Sequence, residues 1–155
     1  MKAFVERSLV ELALPIACAW VRAEERAILC HGDSLGEAQS ADARRIGIAE
    51  PERIRICEVE TIPPRLNPVL RFLGAKFGMT FAGTIGMALG HGIYLQREYA
   101  ASRSLLLHEL AHVAQYERLG MRRFLRQYLH ECLTQGYPLG ELEAEARDVT
   151  DRLAA

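Results

Sequence analysis

No two of the four cysteines, Cys18, Cys30, Cys57 and Cys132, stand at CxxC spacing. That excludes a thiolate zinc knuckle, and their scatter gives no disulfide framework. The expectation is buried, reduced thiols in a reducing compartment. Neither sign of charge is in excess: 19 Lys+Arg face 20 Asp+Glu, for a formal net charge of -1. This removes the electrostatic case for a nucleic acid as partner. Lysine is nearly missing, at Lys2 and Lys76 only, so the basic side is arginine. There is no internal repeat, low-complexity tract or linker, and residues 1–155 read as a single domain large enough to bury a core. With half of its residues hydrophobic and a quarter charged, the chain has the composition of a soluble globular protein.

A long apolar run is also lacking. The richest stretch, residues 9–21, falls short of the ~20 residues that a membrane span needs. Glu6 and Glu11 intrude on it, and charge resumes at Arg22, Glu24, Glu25 and Arg26. Ala17-Cys18-Ala19 has the look of a signal-peptidase site, but the flanking charges fit a buried helix that continues with one wet face. No stable membrane span and a cytoplasmic location are therefore expected.

The periodicity predicts a helix over residues 5–30, kinked near Pro15, with Leu9, Leu12, Ile16, Trp20 and Ala27 as its apolar stripe. Gly32 is expected to stop it, and Asp33 or Ser34 to cap a short helix over residues 35–46. Residues 53–59 (Arg-Ile-Arg-Ile-Cys-Glu-Val) alternate as a half-buried strand does. After Pro63, Pro64 and Pro68 comes a short amphipathic segment, 66–77. Glycines punctuate residues 78–97, read as a hairpin whose last strand is 91–95. Three helices follow, over about 102–118, 121–136 and 141–153, divided by Gly120 and by Gly136-Tyr137-Pro138. The fold class is α+β, mostly helical, with a small sheet or hairpin before the first of these helices.

That helix carries His108-Glu109-Leu110-Ala111-His112. Residues four apart leave one face of a helix a turn apart, so both imidazoles can reach one Zn²⁺. Glu109 stands beside that face, placed to hold a water on the metal and take its proton. Leu105, Leu106, Leu107, Val113 and Ala114 around the motif predict a helix packed inside the protein, with Ser102 as its N-cap. Catalytic zinc takes a third protein ligand. The pattern HExxHxxGxxH would need a glycine and a histidine where Gln115 and Arg118 stand, so that solution fails. A Glu on a later helix is the other common solution, and Glu141, Glu143 and Glu145 are available.

Residues 108–116 (His-Glu-Leu-Ala-His-Val-Ala-Gln-Tyr), with Gly136-Tyr137 and Leu142-Glu143-Ala144-Glu145-Ala146, give the chain a resemblance to the minimal gluzincin-type zinc peptidases. Among these are uncharacterised bacterial zincin-like domains. The resemblance covers mainly residues 80–150. It implies a zincin-like fold, a zinc-dependent hydrolase acting on a peptide or protein, and Glu143 as third ligand beside His108 and His112. It departs from the pattern where Arg147, with Asp148 one step later, replaces the Asp that supports a ligand histidine. It also implies an extended substrate laid along an edge strand of the hairpin. For the oxyanion, Tyr137, Tyr116 and His130 are candidates by chemistry, with Tyr137 named as catalytic beside Glu109. Glu131 follows His130, but Thr134 stands where a second zinc motif would need a histidine. His91 reads as structural, and His31 has no partner at useful spacing. The alternative function is a catalytically silent zincin-fold module that binds a protein partner.

Overall fold

The computed structural model describes residues 1–64, 68–79 and 81–154. Six helices run over Lys2–His31 (α1), Glu37–Ile46 (α2), Pro68–Lys76 (α3), Arg103–Leu119 (α4), Met121–Gln135 (α5) and Glu141–Ala154 (α6). Four strands, Asp33–Ser34 (β1), Arg55–Val59 (β2), Gly86–Leu89 (β3) and Gly92–Gln96 (β4), form one mixed sheet in the order β1-β2-β4-β3. The α+β reading holds in this sense. The parallel pairing of β2 with β4, Ile56 opposite Ile93, joins segments on either side of the proline-rich stretch.

Alternation along β4 decides the layering. Tyr94 faces α1, packing with Leu14, Cys18, Val21 and Ile28. Ile93 and Leu95 face the other way, into Ala43, Ile54, Leu106, Leu110 and Val113. One short strand is thus buried on both faces, with α1 over one and α2 and α4 over the other. Gly92 permits this closeness, because a Cβ there would lie 2.9 Å from Ile28.

Several local expectations are corrected. The expected first helix is present as the 30-residue α1, with Pro15 inside it. The buried stripe of α1 runs through Val10, Leu14, Cys18, Val21 and Ile28, while Leu9, Leu12, Ile16 and Ala27 face outward. Both stripes satisfy helical spacing, and only the position of the sheet selects between them. Gly32 does end α1, but Asp33 and Ser34 pair with Ile56 and Arg55 instead of capping α2. Gly36 is the cap residue there, its N–H held by Gln39 Oε1 at 2.8 Å. The hairpin is confined to residues 86–96, and residues 66, 67 and 80 of the expected elements lie outside the described ones. The cysteines are free, as expected, but Cys30 is exposed. No described helix is long and apolar enough to cross a membrane.

The hairpin tip is clamped from two sides. The His91 N–H donates to Glu25 Oε1 of α1 at 2.8 Å, and its Nε2 lies 3.0 Å from Glu117 Oε1 of α4. Glu117 also accepts from the N–H groups of Ala49 and Glu50. Gly90, at φ +64°, cannot take a side chain, which would run into the Glu25 carboxylate. Hydrogen bonding to Glu25 raises the pKa of His91 against the opposing effect of burial. Burial pulls Glu25 and Glu117 upward, but His91 holds Glu25, and the Ala49 N–H together with His91 holds Glu117, below the ordinary value of 4.5. The carboxylates therefore stabilise the fold above about pH 4.5, and this is lost as pH falls. The imidazolium stabilises it below its ordinary 6.5, and this is lost as pH rises through the raised value. Urea unfolding at a series of pH values is expected to place the stability maximum between these limits. The alkaline limb should flatten in His91→Gln. An unchanged limb would remove His91 from the account.

Candidate metal centre

The motif helix α4 starts where Ser102 accepts the Leu105 N–H, at 3.3 Å. Its apolar positions Leu106, Leu107, Leu110 and Val113 are buried, which fixes its rotation. His108 and His112 then face α5 and α6 with their Nε2 atoms 3.1 Å apart. Glu143 of α6 completes the group, its carboxylate oxygens 3.2 Å from His108 Nε2 and 3.5 Å from His112 Nε2. Of the three glutamates open in the sequence, only Glu143 arrives. Glu141 is exposed, and Glu145 is taken by a bidentate pair with Arg118 at 2.7 and 2.9 Å and by the Gln115 amide.

Glu143 is held from behind. Tyr128 of α5 donates its hydroxyl to Glu143 Oε1 at 2.7 Å. Burial opposes ionisation of Glu143, but hydrogen bonds to His108, His112 and Tyr128 overcome it and hold the carboxyl far below its ordinary range. The His112 ring is fixed by Gln115, 1% exposed, whose Oε1 lies 2.9 Å from His112 Nδ1. Gln115 Nε2 donates to the Leu142 carbonyl at 2.9 Å, so its amide has one orientation. Nδ1 of His112 is therefore an N–H, and in the neutral ring Nε2 carries the lone pair. Burial disfavours charge on His112, yet Glu143 and Glu109 together raise its pKa. Two imidazole nitrogens and a carboxylate this close can share a proton or a metal ion. The group His108, His112 and Glu143 can hold one metal ion.

Glu109 lies beside them, 4% exposed, against β3. Its carboxylate accepts the Ala88 N–H, and Gly86 leaves it room, since a Cβ there would come within 2.5 Å of Oε1. Burial is the main reason its pKa is raised, against the lowering effect of the two histidines. Tyr137 borders the same space, half-exposed, its hydroxyl pushed up to about 12 by burial and by the nearby Glu143 and Glu109.

The remaining candidates separate. Tyr116 is buried and stacked on Phe124 with ring centroids 3.8 Å apart, and His130 is exposed. Arg147 donates to the Pro138 carbonyl and Asp148 is exposed, so support for His112 comes from Gln115 instead. Sequence reading passed over Gln115, Tyr128 and Glu131. The last, 5% exposed, accepts the Leu142 N–H at 3.0 Å and the Gln127 amide at 2.7 Å. Only Gln115, three residues past His112 and so on the same helical face, carried a signal that could have found it. A second group, Glu50, His91 and Glu117, also has metal-ligand spacing. Its atoms are spent on the hairpin clamp and on the pair of Glu50 with Arg53.

No protein-family model matches the chain, and neither curated proteins nor solved structures return a match.

Partners behind a ligand typically set metal affinity within 10–100-fold. Tyr128→Phe and Gln115→Met are each expected to weaken Zn²⁺ binding by about that factor. Glu141→Gln, at an exposed position, should leave it unchanged. Competition against a chromophoric chelator measures all three, and equal losses in all would mean a general loss of folding instead.

Proposed function

We propose that the chain is a zincin-like, zinc-dependent hydrolase acting on peptide or protein substrates. The observation that carries this reading is the meeting of His108, His112 and Glu143, from two separate helices, with their ligand atoms 3.1 to 3.5 Å apart. A tetrahedral ion with bonds of ~2.0–2.1 Å needs ligand atoms about 3.3–3.4 Å apart, and two imidazoles with one carboxylate is a common donor set for catalytic zinc. Bound by these residues, zinc supplies a Lewis acid that polarises a carbonyl and brings the pKa of water to about 7.

The chain's own residues do the rest. Glu109, buried and with a raised pKa, is the base that takes a proton from the attacking water and delivers it to the leaving amine. Its tie to Ala88 holds the carboxylate at the side of the histidines. Tyr137, which borders the cavity and whose hydroxyl stays protonated at neutral pH, would donate a hydrogen bond to the oxyanion. Tyr128 keeps Glu143 in place and is not free for that role. An extended substrate would pair only with the outer-edge groups of β3 that Glu109 leaves open, since the Ala88 N–H is taken.

A second reading, a catalytically silent zincin-fold module for a protein partner, draws on the exposed apolar side chains Phe4, Leu12, Val69 and Phe72. The opening of the metal-ligating group onto a cavity favours the hydrolase.

Purified protein is expected to carry one zinc per chain, to lose it in Glu143→Ala, and to keep it in Glu109→Gln. Peptide hydrolysis should fall about 10²–10⁴-fold in Glu109→Gln. Cleavage that survives that substitution would sink the mechanism, and stoichiometric zinc without any cleavage in the wild type would select the binding module.

A further inference from the structure

The candidate metal ligands form one end of a partly open cavity of about 170 Å³ lined by α1, α3, β3, α4, α5 and α6. Small residues make the room: Ala13 and Ala17 on α1, Gly74 on α3, Gly86 and Ala88 on β3. Aromatic rings make the walls, with Trp20, Phe77 and Phe81 from one part of the chain and Tyr116, Phe124 and Tyr128 from another. Met79 and Met87 add polarisable surface that adapts to a ring edge. Away from the metal end, Thr84, the tyrosine hydroxyls and the Trp20 indole are the only polar side-chain groups that the described residues put on the lining. The Trp20 indole N–H itself is buried without a partner.

Size and chemistry together limit what can enter. An apolar cavity of about 150 Å³ stays dry and takes one benzene. A space of this size therefore matches a single ring. A peptide backbone does not belong there either, because its N–H and C=O would be buried without partners at a cost of ~1–3 kcal/mol each. Aromatic walls favour a ring over a branched aliphatic group, through edge-to-face contacts beyond the area buried.

We propose that this cavity recognises one aromatic side chain of the substrate, phenylalanine-like, next to the bond that is cut. Its catalytic meaning rests on the hydrolase reading, but ring binding does not, and the two can fail separately.

The first measurement is a methyl-NMR titration of the zinc-loaded protein with toluene, compared with isopentane as the aliphatic probe. Toluene is expected to bind at least tenfold more tightly and to shift the methyl signals of Met79, Met87 and Leu89. Ala17→Leu, which fills the space, should weaken toluene binding at least tenfold. Ala13→Val gives the same reading should the larger substitution unfold the chain. The second measurement compares kcat/KM for quenched peptides with Phe or Ala at each position around one bond, with a gain of about 10–100-fold expected at a single position. Absent toluene binding, binding indifferent to both filling variants, or an equal response to isopentane overturns the proposal. Toluene binding with no peptide cleaved keeps the cavity as a ring site and removes the hydrolase.

Discussion

Two hydrogen bonds to the backbone of one residue bring the third member of the candidate metal-ligating group to the other two. The Leu142 N–H is taken by Glu131 of α5, and its carbonyl receives Gln115 of α4. Leu142 lies at the start of α6, where backbone donors have no partner within the helix. A buried carboxylate at that end satisfies a donor and interacts favourably with the helix dipole. The residue after this doubly held one is Glu143. The ligand that comes from a separate helix is thus positioned through the backbone beside it, with Gln115 serving α6 and His112 at once. Packing of Ala111 against Ala146 and Val149 supplies the close approach between α4 and α6 that such short bonds require.

The electrostatics follow from that placement. Two carboxylates, Glu109 and Glu143, are buried within reach of two histidines, yet their environments differ. Glu143 accepts hydrogen bonds and is held ionised, whereas Glu109 is governed by burial and pushed toward its neutral form. One behaves as a permanent anion suited to a cation, the other as a group ready to exchange a proton. Separation of this kind between neighbouring carboxyls is how a single site comes to hold both an anchor and a base.

Much of this was legible in the chain, though unevenly. The spacing of His108 and His112 on an apolar helix placed both histidines and Glu109 without help from the fold. Ser102, Gly120 and Gly136 marked the helix ends to within a residue or two, because capping is local chemistry. The choice among Glu141, Glu143 and Glu145 was not local, since helix rotation against α4 decides it. The same holds for α1, where two apolar stripes compete and the sheet selects the inner one. Nothing short-range announces Tyr128, which matters only because α5 lies beside Glu143. The parallel neighbour of β2 was hidden for a related reason: a crossover partner leaves no signature in a two-residue period.

The contact between Glu109 and the Ala88 N–H has a consequence outside catalysis. β3 is the last strand of the sheet, and an open strand edge invites pairing with another chain. Here one outward donor of that edge is already engaged by a carboxylate from the protein's own interior. A neighbouring copy that tried to extend the sheet at this point would have to displace a buried acid. The side chain read as the base therefore also discourages sheet-to-sheet association, and a substitution that withdraws it exposes a sticky edge as well as an idle centre.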